Sequence, residues 1–137
     1  MNGIFHLAFK VKDIKSTILF YHNILGCSLG RQTDNWVDFN FFGHQISAHV
    51  SKNISELDYC GKVEGLKVPI PHFGCILEPE DFKTIKSRLE KSDIPFLVPP
   101  QTRYKNNRGE QQTMFVLDPS NNALEFKSFS NAEAIFD

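Results

Sequence analysis

Between residues 4 and 11 apolar and polar side chains alternate, with Phe5, Leu7, Phe9 and Val11 on one side and His6, Ala8 and Lys10 on the other. Period two of this kind predicts a half-buried β-strand. The period then lengthens: Asp13 is placed to cap a helix over 14–25 whose apolar stripe is Ile14, Ile18, Tyr21 and Leu25, with Gly26 as its stop. Strands over 28–31 and 35–41 follow around the polar turn Gln32-Thr33-Asp34, and Gly43-His44 leads into another over 45–50. Residues 51–70 are polar and irregular, the composition of a connector. From His72 the first pattern returns: a strand over 72–77, a helix over 80–92 with Phe82, Ile85 and Leu89 on one face, and extended segments over 95–99, 112–117 and 122–128.

Each half therefore reads βαβββ. Placing His6 on His72 superimposes the first strands and the helices, the pattern of an internal duplication. The predicted fold is α+β, a single domain over 1–137 with module 1 over 4–50, a connector over 51–70, module 2 over 71–128 and a tail over 129–137. Each helix can cover only one face of its sheet. The expected solution is two modules forming a curled mixed sheet around a metal or ligand cleft, with the helices outside.

Alternation also assigns faces. With His6 and His72 inward, Phe5, Leu7, Phe73 and Cys75 cover the helices, and Glu125 points inward between outward Leu124 and Phe126. Val37, Phe39, Phe41, Ile46, Ala48 and Val50 face outward, leaving Trp36, Asp38, Asn40, Gln45, Ser47 and His49 inward. An inner face this polar favours a cavity over a packed interior. Two imidazoles and a carboxylate within apolar runs are costly unless compensated, and a divalent metal would compensate them. Taken singly, each has an ordinary reading as a hydrogen-bonded interior histidine, or as a glutamate paired with Lys10 or Lys127.

Composition narrows the partners. Fifteen basic against sixteen acidic residues leave a net charge of −1, which argues against nucleic acid and against an anionic membrane surface and favours a small molecule. No apolar stretch approaches the roughly 20 residues that span a bilayer. Cys27, Cys60 and Cys75 lack CxxC spacing, which fits a reducing compartment, so the expected location is cytoplasmic.

Four segments carry a resemblance: 5–11 (FHLAFKV), 20–26 (FYHNILG), 71–74 (PHFG) and 118–126 (DPSNNALEF). In this order within a duplicated βαβββ pattern, the chain resembles the vicinal oxygen chelate superfamily, which includes glyoxalase I, extradiol dioxygenases, fosfomycin-resistance transferases and bleomycin-resistance proteins. The resemblance implies a divalent metal held by residues of the first, fourth, fifth and eighth strands, with His6, His72 and Glu125 matching three of them. In the fourth strand Ser47 stands where glyoxalase I has a carboxylate or amide ligand. The remaining two histidines and one carboxylate are similar to the facial triad of non-haem iron oxygenases. The expected cofactor is accordingly Fe(II), with Mn, Zn, Ni or Co as alternatives.

His49, two residues beyond Ser47 and roughly 7 Å further along the strand, is a candidate for a fourth ligand, for a catalytic acid or base, or for a structural role. Trp36, Asp38 and Ser47 are candidates to line a substrate pocket. So are Arg103 and Tyr104, in a loop over 102–111 that suits either a lid or an ordinary solvated connection. His22 and His44 are expected to be solvated. Three functions fit: an extradiol-type dioxygenase; a glyoxalase-type lyase or isomerase, or a thiol transferase; and a metal-free bleomycin-resistance-type binding protein. Phe129 and Phe136 would allow a homodimer.

Overall fold

The computed structural model describes all of residues 1–137. Its elements run β1 (His6–Val11), α1 (Ile14–Ile18), a π-helical segment (Leu19–Ile24), β2 (Ser28–Gln32), β3 (Trp36–Phe41), β4 (His44–Val50), β5 (Tyr59–Val63) and β6 (Leu66–Pro69). They continue with β7 (Phe73–Ile76), α2 (Pro79–Lys91), β8 (Phe96–Arg103), β9 (Gln111–Leu117), β10 (Ala123–Phe129) and a 3₁₀ turn (Ala132–Phe136). The chain is α+β with two βαβββ-like modules. Each module forms a four-stranded mixed sheet, in the orders β1-β4-β3-β2 and β7-β10-β9-β8. The first strand pairs in parallel with the last in both, and the other pairings are antiparallel.

The first compact unit comprises residues 1–56 and 118–122. The Asp13 carboxylate accepts from the Ser16 backbone N–H at 2.6 Å and starts α1, as its position predicts. The helix then widens into a π turn, with the Leu25 N–H donating to the Phe20 carbonyl at 3.0 Å, before Gly26 at φ 85° ends it. That widening shifts the buried stripe. Thr17, Phe20, Tyr21 and Leu25 are buried, whereas Ile14 and Ile18 are half-exposed. Against them lie Val37, Phe39, Phe41, Ile46 and Ala48, while His6, Ala8, Lys10, Asn40, Gln45 and His49 are exposed on the opposite face. Period two assigned these faces correctly. Two of its assignments fail: Phe5 precedes the strand and is exposed, and Val50 is partly exposed at the strand's end.

Asp118 anchors the 118–122 turn inside this unit. Its buried carboxylate accepts from the Tyr21 hydroxyl at 2.8 Å, the Ser120 N–H at 2.8 Å, and the Asn122 N–H and side-chain amide at 2.9 and 2.8 Å. The turn also grips β1: the Lys12 N–H donates to Ser120 Oγ and Asn122 Nδ2 donates to the Lys10 carbonyl. Burial raises the Asp118 carboxyl above its ordinary range despite these donors, and burial beside Asp118 raises the Tyr21 phenol.

The second unit comprises residues 57–117 and 123–137. Here the sequence expectation of an irregular connector is overturned, since 59–69 forms a hairpin. Glu64 and Gly65 both take positive φ, which matches the twist of a two-residue hairpin turn. Val68 of β6 packs with Val98 and Phe115 of the sheet, flanked by Leu66 and Leu97. The inner face of module 2 is therefore partly apolar and covered, whereas the corresponding face of module 1 is polar, with Asp38 and Ser47 buried on it and Asn40, Gln45 and His49 exposed. On the other face α2 buries Phe82, Ile85 and Leu89, as its stripe predicts.

Replacing Asp118 by alanine would orphan the Tyr21 hydroxyl and the Ser120 and Asn122 amides together. An Asp118→Ala variant is expected to lose about 3 kcal/mol of stability in urea unfolding, and Asp118→Asn, which keeps an acceptor oxygen, clearly less.

Candidate functional site

In module 2, β7 lies beside β10 with Gly74 opposite Glu125. A Cβ at Gly74 would collide with the Glu125 carbonyl, so glycine is what permits this pairing. His72, just before β7, then reaches Glu125, with Nε2 3.3 Å from Oε1. Both side chains are held from behind. The His72 Nδ1–H donates to the Pro69 carbonyl at 2.6 Å, and the Thr113 hydroxyl donates to Glu125 Oε2 at 2.6 Å. The ring of Phe115 meets the imidazole edge-on at 5.0 Å between centroids. A cavity of about 210 Å³ opens on the pair, lined also by Cys75, Ile76 and Lys127.

The hydrogen bond to Glu125 raises the His72 pKa from its ordinary 6.5, against a smaller opposing effect of burial. Burial would raise Glu125, but the bonds from His72 and Thr113 outweigh it and hold the carboxyl below its ordinary 4.5. The two atoms that share a proton in this pair, Nε2 and Oε1, are the ones that would face a cation. Fixing Nδ1–H on a carbonyl leaves Nε2 as the ligating nitrogen, the usual preparation of a metal-binding histidine. Donor atoms about 2.1 Å from one cation lie roughly 3 Å apart when adjacent, which the observed spacing nearly meets. The pair fits a divalent metal.

His6 stands in the first unit. It is exposed, and its Nδ1 is 2.8 Å from the Gln45 side-chain oxygen, so its Nε2 is likewise the nitrogen left to a ligand. Within either unit no three His, Cys, Asp or Glu side chains converge. The duplication also fixes what stands opposite: Gly74 is two residues past His72 and faces Glu125, and Ala8 is two residues past His6 and faces Ser47. Ser47 is thus the counterpart of Glu125. Its hydroxyl donates to the buried Asp38 carboxylate at 2.5 Å, and Arg31 approaches the other Asp38 oxygen at 3.6 Å while lying over the Trp36 ring. His49 is exposed, with Lys10 and Trp36 as its neighbours on the flanking strands and its ring 6.4 Å from the Trp36 ring between centroids.

Arg103 ends β8 rather than opening a loop. It is buried and committed to the hairpin, donating from one terminal nitrogen to the Val63 carbonyl at 2.6 Å and from Nε to Glu64 at 3.4 Å. The Tyr104 N–H donates to the same Glu64 carboxylate. His22 and His44 are not simply solvated: His22 Nδ1 bonds the Cys27 carbonyl, and His44 Nδ1 accepts from the Phe5 N–H. The supporting groups that sequence reading missed, Pro69 and Thr113, become visible only once the strand register is known.

A model of the Glyoxalase/Bleomycin resistance protein/Dioxygenase superfamily matches residues 3–126. The chain belongs to this superfamily. It is 24% identical over 134 residues to the glutathione transferase FosA of Serratia marcescens, covering 91% of this chain and 79% of that protein. It is 22% identical over 126 residues to the metallothiol transferase FosB of Lysinibacillus sphaericus, covering 92% and 82%. The fold is similar to that of a glyoxalase/bleomycin resistance protein/dioxygenase from Alicyclobacillus acidocaldarius, with a TM-score of 0.80 and 29% identity over 98% of this chain and 97% of that one. It is also similar to the fosfomycin resistance protein FosX of Listeria monocytogenes, with a TM-score of 0.73 and 19% identity over 97% of each. Superfamily membership agrees with the resemblance carried by the four sequence segments. No helix is long and apolar enough to cross a membrane.

The pair makes stability depend on pH in a defined window. The raised His72 contributes fully below 6.5 and loses its contribution as pH climbs through its folded value, while the lowered Glu125 contributes fully above 4.5 and loses it on acidification. In chelator, the stability difference between the protein and His72→Ala is expected to be greatest between pH 4.5 and 6.5, at about 1 kcal/mol, and to fade on the alkaline side. Urea unfolding across pH measures it.

Proposed function

We propose that this protein is a metal-dependent transferase that joins a thiol to a small, oxygen-rich electrophile, with fosfomycin as the first substrate to test. The observation that carries the reading is the His72–Glu125 pair, whose outer atoms are fixed by Pro69 and Thr113 and whose inner atoms face one another across 3.3 Å. The resemblance names His6 as the third donor, and its Nδ1 is held by Gln45 in the way that the Nδ1 of His72 is held by Pro69. The names of the two relatives, glutathione transferase and metallothiol transferase, favour thiol transfer over the other chemistries of the superfamily.

A bound divalent cation would supply Lewis acidity toward neighbouring substrate oxygens. The chain's own part is to orient and to balance charge. Two neutral imidazoles and one carboxylate offset only part of a dication's charge, which favours an anionic substrate such as a phosphonate. Ser47 is tied to Asp38 and adds no fourth donor. Lys127, which lines the cavity beside Glu125, carries a positive charge toward the same anion. His49 remains the candidate acid or base for the thiol or the opened oxygen.

The donor set itself favours a second reading. Two histidines and one carboxylate are also the set of Fe(II) oxygenases, and an extradiol-type dioxygenase acting on a catechol would use it with dioxygen.

Metal analysis of protein prepared without chelator, followed by calorimetric titration of the stripped protein, separates these readings. One divalent cation per site is expected, lost in His72→Ala and weakened about tenfold in Thr113→Val, which unfastens only the far oxygen of Glu125. Metal-dependent loss of free thiol with fosfomycin supports transfer. Iron with catechol cleavage supports the second reading, and failure to take up any metal points to a metal-free binding protein.

A further inference from the structure

Strand β10 presents two faces. Glu125 and Lys127 turn to the candidate metal pair, whereas Ser128 turns to the face that α2 covers, buried at 4% exposure. The Ser128 hydroxyl oxygen has no hydrogen-bond partner. Buried hydroxyls are normally satisfied, so an orphan of this kind asks for an explanation. It borders a cavity of about 280 Å³ between the first two turns of α2 and the ends of β8, β9 and β10. Along α2, Pro79, Phe82, Lys83 and Lys86 fall on one stripe facing the cavity, Pro100 adds apolar wall, and Phe129 borders the rim at the strand's end, where its ring also meets Lys127. No carboxylate lines it. Lys83 is turned to Glu80 at 3.2 Å, but Lys86, half-buried, has no carboxylate partner.

We propose that this cavity is a second ligand site, separate from the metal pair, that takes a small organic anion with a flat apolar body, an aromatic carboxylate being its simplest form. The apolar walls accept the ring. Lys86 meets the carboxylate, and Ser128 donates the hydrogen bond it otherwise lacks. The volume lies just below the usual range for drug-sized ligands, which restricts the occupant to a single ring with a short acidic arm. Because the two faces of β10 are separated by the sheet, occupancy here does not require the metal.

Benzoate is the probe, titrated into the full-length protein and followed by amide chemical shifts, with benzamide as its uncharged counterpart. Saturable binding with shifts at Phe82, Lys86 and Ser128 is expected, with benzamide about tenfold weaker. Lys86→Met should weaken benzoate about tenfold while Lys86→Arg retains it. Ser128→Ala should weaken benzoate yet raise the melting temperature of the free protein, because the orphan hydroxyl is gone; a structural hydroxyl would show the opposite. His72→Ala should leave benzoate binding unchanged, so this result stands apart from the metal experiments. Absence of saturable binding up to millimolar benzoate, binding indifferent to Lys86→Met, or binding lost in His72→Ala would each overturn the assignment.

Discussion

The parallel pairing of β7 with β10 is the constraint from which the site follows. Parallel strands in register place side chains of equal parity on one face, so once Gly74 lies opposite Glu125, the imidazole two residues before Gly74 is delivered to the carboxylate. The pairing is close because Gly74 has no side chain to hold the Glu125 backbone away. The matching pairing of β1 with β4 sets Ala8 opposite Ser47. The same backbone rule thus yields two different local chemistries: a carboxylate able to meet a cation in module 2, and in module 1 a hydroxyl absorbed by the buried Asp38.

Support for the pair comes from farther along the chain than the pair itself suggests. Arg103 grips the turn of the β5–β6 hairpin through Glu64 and the Val63 carbonyl, and Val68 seats that hairpin on Val98 and Phe115. The hairpin's last residue, Pro69, then offers the carbonyl that fixes the His72 ring. A guanidinium at the end of β8 therefore bears on which nitrogen His72 presents, without touching it. Histidine ligands depend on such outer partners for both tautomer and orientation. The segment that looked like a slack connector is part of the site's frame.

Period-two alternation was enough to find the strands of the two four-stranded sheets, the repeat and the three candidate ligands, because burial on one face imposes the pattern residue by residue. The duplication was legible for the same reason, and the observed register bears out the equivalence of Ser47 with Glu125. What escaped depends on contacts between segments distant in sequence. Thr113 supports Glu125 from a neighbouring strand, and Pro69 supports His72 through a main-chain oxygen that carries no residue-type signal. The hairpin was hidden by its composition, since Glu64-Gly65 is a weaker turn signal than Asn-Gly and its strands are short and polar. The π turn was hidden because one extra residue in a helix leaves the apolar count unchanged and only rotates the buried stripe.

Charge explains why the His72–Glu125 pair is suited to exchange rather than to stability alone. A carboxylate this buried is costly to ionise, and the imidazole proton offsets that cost; with the proton gone, the carboxylate faces an uncharged ring. A divalent cation would meet the same need with more charge at the same two atoms, so proton and metal would compete for one position. Such a competition would favour the cation as pH rises, because fewer imidazoles then carry the proton, and the hydrogen bond from His72 to Glu125, by raising the imidazole pKa, would move that gain to higher pH. Thr113 acts in the other direction. By donating to Oε2 it stabilises the ionised carboxylate whichever partner occupies Oε1, and so lowers the cost of the moment when neither does.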